Sequence, residues 1–218
     1  MTETKSAPSM LDRLHILASE MMLGALIAIL AIGAATASYL SSMSDSDQTK
    51  YNVLATQKLT NANADYLAAN QIMVQDYNNY DAFYLNQDKP DIAEYYTYNF
   101  SPELTEAVAR AAADTNPDAD PFDDKYYAAL EDDYNLTFDE SKRLFALAED
   151  FNTRGDAFQL VVLIASMGLA FAAWGALLPE GRKLRLIFAI LSIGLLVYAI
   201  VLWAQIPMPP AIPTDIRP

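Results

Sequence analysis

Hydrophobic positions are distributed in two ways along this chain. Residues 21–40 and 158–204 are nearly unbroken apolar runs, the second interrupted by PEGRKLR, whereas residues 41–157 mix apolar and polar positions. A helix needs about 20 apolar residues to cross the hydrocarbon core of a bilayer. Residues 21–40, MMLGALIAILAIGAATASYL, meet this without a charge, as do residues 158–178, FQLVVLIASMGLAFAAWGALL. Residues 186–204, LIFAILSIGLLVYAIVLWA, are slightly fewer but still sufficient. The pattern predicts an all-α chain with three transmembrane helices. A long antiparallel helical hairpin is expected as an extramembrane domain between spans 1 and 2.

Within that domain the spacing is helical. Ala55, Leu59, Ala62, Tyr66, Ala69, Met73, Tyr77, Tyr80 and Tyr84 recur at a mean of about 3.6 residues, the α-helix period. No Pro or Gly falls between Ser38 and Lys89, so the first span is expected to run on through residues 41–45 as one helix. Lys89-Pro90 should end it near residue 87. A short helix is expected at 91–99. Ser101-Pro102-Glu103 has a cap residue followed by a first-turn proline and predicts a helix to about Ala113. Residues 114–124 read as a turn. Tyr126, Leu130 and Tyr134 then form a stripe, Asn135-Leu136 is expected to interrupt it, and Thr137-x-x-Glu140 reads as a capping box. Phe138, Ser141, Phe145, Ala148 and Phe151 continue through Gly155 into the second span. All 13 tyrosines but Tyr198 precede the last span, nearly all of them in this domain. A tyrosine stripe suits a packed face, because the ring packs while the hydroxyl reaches water.

These elements divide the chain as follows. Residues 1–20 are a tail with an amphipathic lead-in, LDRLHILASE, at 11–20. Span 1 is 21–40, the acidic helical domain 41–157, span 2 158–178, a basic loop 179–185, span 3 186–204 and a Pro-rich tail 205–218. The loop holds Arg182, Lys183 and Arg185 against Glu180, and by the positive-inside rule it belongs in the cytoplasm. The N-terminus is then inside the cytoplasmic membrane, and residues 41–157 lie outside. Ala35-Thr36-Ala37 resembles a signal-peptide cleavage site, but the apolar run is longer than a typical signal core, so an uncleaved anchor is expected.

Charge sharpens this division. The chain's formal net charge is −14, yet residues 41–157 alone carry 23 Asp plus Glu against 8 Lys plus Arg. Such an acidic face disfavours nucleic acid, and none is expected as a partner. The absence of cysteine excludes disulfides and thiolate chemistry. The lone histidine, His15, reads as an amphipathic surface residue. Asp114, Asn116, Asp118 and Asp120 open like a calcium loop, but Ala119 and Lys125 stand where that loop needs Gly and Glu. Weak divalent-cation binding is the most that this segment offers, and a solvated hinge is the simpler reading. No nucleophile–base set, phosphate loop or catalytic residue is found, no cofactor is expected, and the chain does not read as an enzyme. The sequons at Asn99 and Asn135 are weak signals.

The spans carry no ionisable side chain, unlike most transporter cores. They do carry small residues at helix-packing spacing: Gly24, Ala28, Ala31 and Ala35 on the first, and Ala165, Gly168, Ala172 and Ala176 on the second. These two faces are expected to pack together, with the third span outside them. The layout resembles the domain-of-unknown-function family 4337 of prokaryotic membrane proteins. The likeness rests on a span followed by a polar helix with a Gln-Lys pair, SDQTKYNVLATQKL, and on two closing spans joined by a basic loop, LIASMGLAFAAWGALLPEGRKLRLIFAILSIGLL. It implies no activity. The expected function is a membrane-anchored structural or interaction protein whose partners are the bilayer and a homo-oligomer or another membrane protein. The alternative is an accessory subunit of a channel or transport assembly with a cation-attracting ectodomain.

Overall fold

Five helices make up the described part of the chain in the computed structural model, which describes residues 16–116 and 118–212. They are α1 (Glu20–Leu85), α2 (Pro90–Thr97), α3 (Pro102–Ala112), α4 (Asp124–Leu177) and α5 (Lys183–Gln205). No strand occurs among the described residues. His15, most of the amphipathic lead-in and Arg217 lie outside them. Three helices are long and apolar enough to cross a membrane: α1, α4 and α5.

α1 is a single helix of 66 residues. The serines at its middle do not cap anything. Ser44 and Thr49 return their hydroxyl protons to the carbonyls of Leu40 and Asp45, four residues back, as such side chains do inside a helix. α4 is likewise unbroken over 54 residues. The interruption expected at Asn135-Leu136 does not occur, and Thr137 lies inside the helix instead of capping one. Neither residue is a strong breaker, and the inward positions on both sides hold the helix in register.

The chain divides into two compact units. Among the described residues, the first comprises 16–50 and 147–212, and the second 51–116 and 118–146. In the first unit α1, α4 and α5 share one core. Leu23, Leu26, Ala172 and Ala189 form one buried cluster, and Ala37, Phe158, Val161 and Ala199 form another. Lipid tails are as apolar as these side chains, so close packing rather than exclusion of water must hold such helices together. Glycines on α4 permit it. A methyl group on Gly168 would lie 3.2 Å from Leu30 and 3.3 Å from Leu195, and one on Gly175 would lie 3.3 Å from Leu23.

In the second unit the buried positions of α1 are Tyr51, Ala55, Ala62, Ala69 and Asp76, the last four at intervals of seven. The ring of Tyr66 on α1 meets that of Tyr134 on α4 with centroids 5.3 Å apart. Lys58 Nζ lies 2.8 Å from Glu140 Oε2. The short helices α2 and α3 close this unit. α3 starts as its sequence directs, with Ser101 Oγ accepting from the Leu104 amide at 3.0 Å. Leu104, Ala107 and Tyr126 form the buried centre, ringed by Met73, Tyr80, Phe100 and Phe122.

Candidate functional site

The most organised polar group in the second unit is built around Asp76. Its side chain is only 1% exposed. Oδ1 accepts the Ser101 amide at 2.9 Å, and Oδ2 accepts the Ser101 hydroxyl at 2.5 Å and the Tyr126 hydroxyl at 2.9 Å. Ser101 thus donates to Asp76 while capping α3, and three separate helices converge on one carboxylate. Burial, followed by the adjoining Asp76 carboxylate, raises the Tyr126 phenol above its ordinary range. The neighbouring Tyr77 and Tyr127 hydroxyls share a short hydrogen bond, which with partial burial pushes Tyr127 up to about 12. Sequence reasoning missed Asp76 because it assigned the inward position to Tyr77, which is 36% exposed. The signal was present in the spacing: Asp76 follows Ala69 by seven residues, as Ala69 follows Ala62. Chemically the arrangement is a tie. The carboxylate is shut away from solvent, and the hydroxyls around it are committed as donors.

The Asp-rich turn is arranged differently. Asp114 Oδ1 accepts the Asn116 amide at 2.9 Å, Asn116 Oδ1 accepts the Asp118 amide at 3.1 Å, and Asp120 Oδ1 accepts the Phe122 amide at 2.9 Å. Each side chain caps its own backbone two residues on, which is how Asx turns are made. Three of the four candidate side chains are thus engaged with amides of the turn itself. Among the described residues, no group of three or more His, Cys, Asp or Glu side chains is placed to hold a metal ion. The end of the turn is pinned by Arg110, whose Nη2 and Nε donate to Asp123 at 2.6 and 3.2 Å.

In the first unit the small residues fall into two groups. Ala165, Gly168 and Ala172 are buried on α4, while Ala176 is exposed and Gly175 lies inward in its place. On α1 the expected packing face is displaced: Gly24, Ala28, Ala31 and Ala35 are all exposed, and nothing lies within 4 Å of a methyl group placed on Gly24. Leu23, Leu26, Leu30 and Ala37 face inward. The reason is steric. α4 supplies the glycines, so α1 can offer leucines to them, and two smooth faces would have left a void. α5 is a full member of the core, with Ala189 and Ser192 completely buried.

Polar contacts mark both ends of the unit. At one end Ser41 Oγ donates to the Gly155 carbonyl at 3.1 Å, and Arg154 donates to Ser44 Oγ at 3.2 Å and to the Pro207 carbonyl at 3.3 Å. At the other end the three basic residues expected to set topology separate. Arg182 and Lys183 are exposed, but Arg185 is 4% exposed. Its Nε donates to the Ala18 carbonyl at 2.7 Å and its Nη1 to the Leu178 carbonyl at 2.8 Å. Arg185 therefore ties the start of α5 to the end of α4 and to the segment before α1.

The fold defines an all-helical protein with three helices able to span a membrane. Comparison with protein-family models, curated proteins and solved structures returns no match, so the likeness to family 4337 rests on the sequence layout alone.

Proposed function

We propose that this chain is a membrane-anchored structural or interaction protein that presents an acidic helical domain outside the cytoplasmic membrane. The observation that carries the reading is the continuity of α1 and α4. Each is one helix that contains a segment able to cross a bilayer and a long acidic segment. An antiparallel hairpin is supported by contacts whose numbers rise on α1 as they fall on α4: Ser41 with Gly155, Lys58 with Glu140, Tyr66 with Tyr134, and Tyr77 with Tyr127. The organised polar groups are ties between helices, which suits a scaffold better than a reaction centre. Self-association is supported by the uncovered α1 face of Gly24, Ala28, Ala31 and Ala35.

The chain has no cysteine, so single substitutions report sidedness cleanly. Asp118→Cys should react with a membrane-impermeant maleimide on intact cells, and Glu180→Cys, exposed in the basic loop, only on inverted vesicles. The reverse pattern overturns the orientation. Crosslinking in native membranes that yields only monomer, with no co-purifying protein, overturns the interaction role.

A further inference from the structure

We propose that the turn between α4 and α5 is a binding site for a phosphate group, anchored by the buried guanidinium of Arg185. A cavity of about 450 Å³ lies there, lined by Ile16, Ala18, Ser19, Glu180, Arg182 and Arg185. Two of the Arg185 nitrogens are committed to backbone carbonyls. The third, Nη2, is buried and has no hydrogen-bond partner among the described residues. Its nearest charge is Glu180 Oε1 at 3.8 Å, beyond hydrogen-bond reach, on a side chain that is 74% exposed. A buried guanidinium nitrogen without an acceptor is costly, and Arg185 and Glu180, the carboxylate beside that nitrogen, both line the cavity.

Other donors converge on the same space. α5 begins beside it, and its N-cap, Arg182, provides no side-chain hydrogen bond to the first-turn amides. The Arg185 amide already donates to the Arg182 carbonyl at 3.1 Å, and the helix dipole favours an anion at this end. The exposed Arg182 guanidinium adds a second cation at the rim. Ser19 Oγ accepts from the Met22 amide at 3.3 Å, which leaves its own proton to give. Donors arriving from several directions, two of them guanidinium groups, match a tetrahedral oxyanion better than a planar carboxylate. The turn joins two helices long enough to cross a bilayer, and phospholipid phosphates are concentrated at such helix ends. A phospholipid headgroup and free inorganic phosphate share this chemistry. Glu180 competes with either one for Nη2.

The test uses the full chain, stripped of lipid in a neutral detergent. Thermal melts are recorded with added phosphatidylglycerol, with inorganic phosphate, and with chloride at matched ionic strength, and retained phospholipid is counted by native mass spectrometry. Phosphatidylglycerol should bind and raise the melting temperature above the chloride control. If inorganic phosphate does the same and displaces the lipid, the free anion is the ligand; if it does not displace it, the headgroup is. Arg185→Gln also strips two carbonyls of their donors, so two exposed positions carry the comparison. Arg182→Gln should weaken binding by about tenfold. Glu180→Gln should strengthen it by several fold. The site is overturned if neither phosphate source raises the melting temperature, or if both variants bind as the unsubstituted chain does.

Discussion

Asp76 and Tyr126 are fifty residues apart in sequence, and the Tyr126 hydroxyl donates to Asp76 Oδ2 at 2.9 Å in a site closed to solvent. The same carboxylate holds the amide and hydroxyl of Ser101. Asp76→Ala would orphan three donors at once and should cost about 2–4 kcal/mol. Asp76→Asn keeps an acceptor for the Ser101 amide and should cost about half as much. Ser101→Ala removes both the α3 cap and one donor to Asp76, for a loss of about 1–2 kcal/mol. Near-ultraviolet circular dichroism melts check the ranking, because the aromatic cluster surrounds the site. An Asp76→Ala variant that melts like the unsubstituted chain would refute the tie.

Two phenols in this region predict an alkaline dependence. Burial and then Asp76 raise Tyr126, and the hydrogen bond to Tyr77 and then burial push Tyr127 up to about 12. The folded state holds these protons above pH ~10, where free phenols release them. Their contribution is complete below that pH and is lost as the pH rises through the range up to the folded values. Tyrosinate absorbance should therefore appear in two stages, the second coinciding with loss of ellipticity. Tyr127→Phe should remove part of this alkaline sensitivity.

The acid side should depend on Asp123. A paired hydrogen bond from Arg110, followed by the Tyr126 amide, holds its carboxyl below the ordinary value. A lowered carboxyl stabilises the fold above its unfolded value and loses that effect as the pH falls through the folded one. Asp123→Asn should melt below the unsubstituted chain at neutral pH. The two melting curves should converge as the pH falls below about 4. A constant difference across that range would show that the ion pair contributes nothing.

Glycines on α1 and α4 should respond oppositely to enlargement. A methyl group on Gly168 already comes within 3.3 Å of Leu195 and 3.2 Å of Leu30, so Gly168→Leu should cost about 1–3 kcal/mol by overpacking. Gly24 has nothing within 4 Å, and Gly24→Leu should change the stability of the monomer by no more than about 0.5 kcal/mol. Resistance to detergent-induced unfolding reads both. If self-association uses the α1 face, Gly24→Leu should also reduce the crosslinked species without lowering that resistance.

The helices themselves were legible because their causes are local. Period, length and uninterrupted apolar runs predicted the three span segments, and Ser101-Pro102 predicted the start of α3 at the residue where it occurs. The same local reasoning overstated Asn135-Leu136 as a break, since weak helix formers yield to a face packed on both sides. Partner choice was not legible. Gly24 and Gly168 look alike in a span, and which one meets a neighbour depends on the rotation of its helix about its axis, fixed by the side chains opposite. Asp76 reads as one more acidic residue until Ser101 and Tyr126 are brought to it, and Arg185 reads as a loop charge until Ala18 and Leu178 offer their carbonyls. Sequence alone therefore determined where the chain is helical and where it is apolar enough for lipid, because both follow from neighbouring residues. Only the tertiary structure decided which polar groups are buried together, because hydrogen bonds between helices depend on residues far apart in the chain.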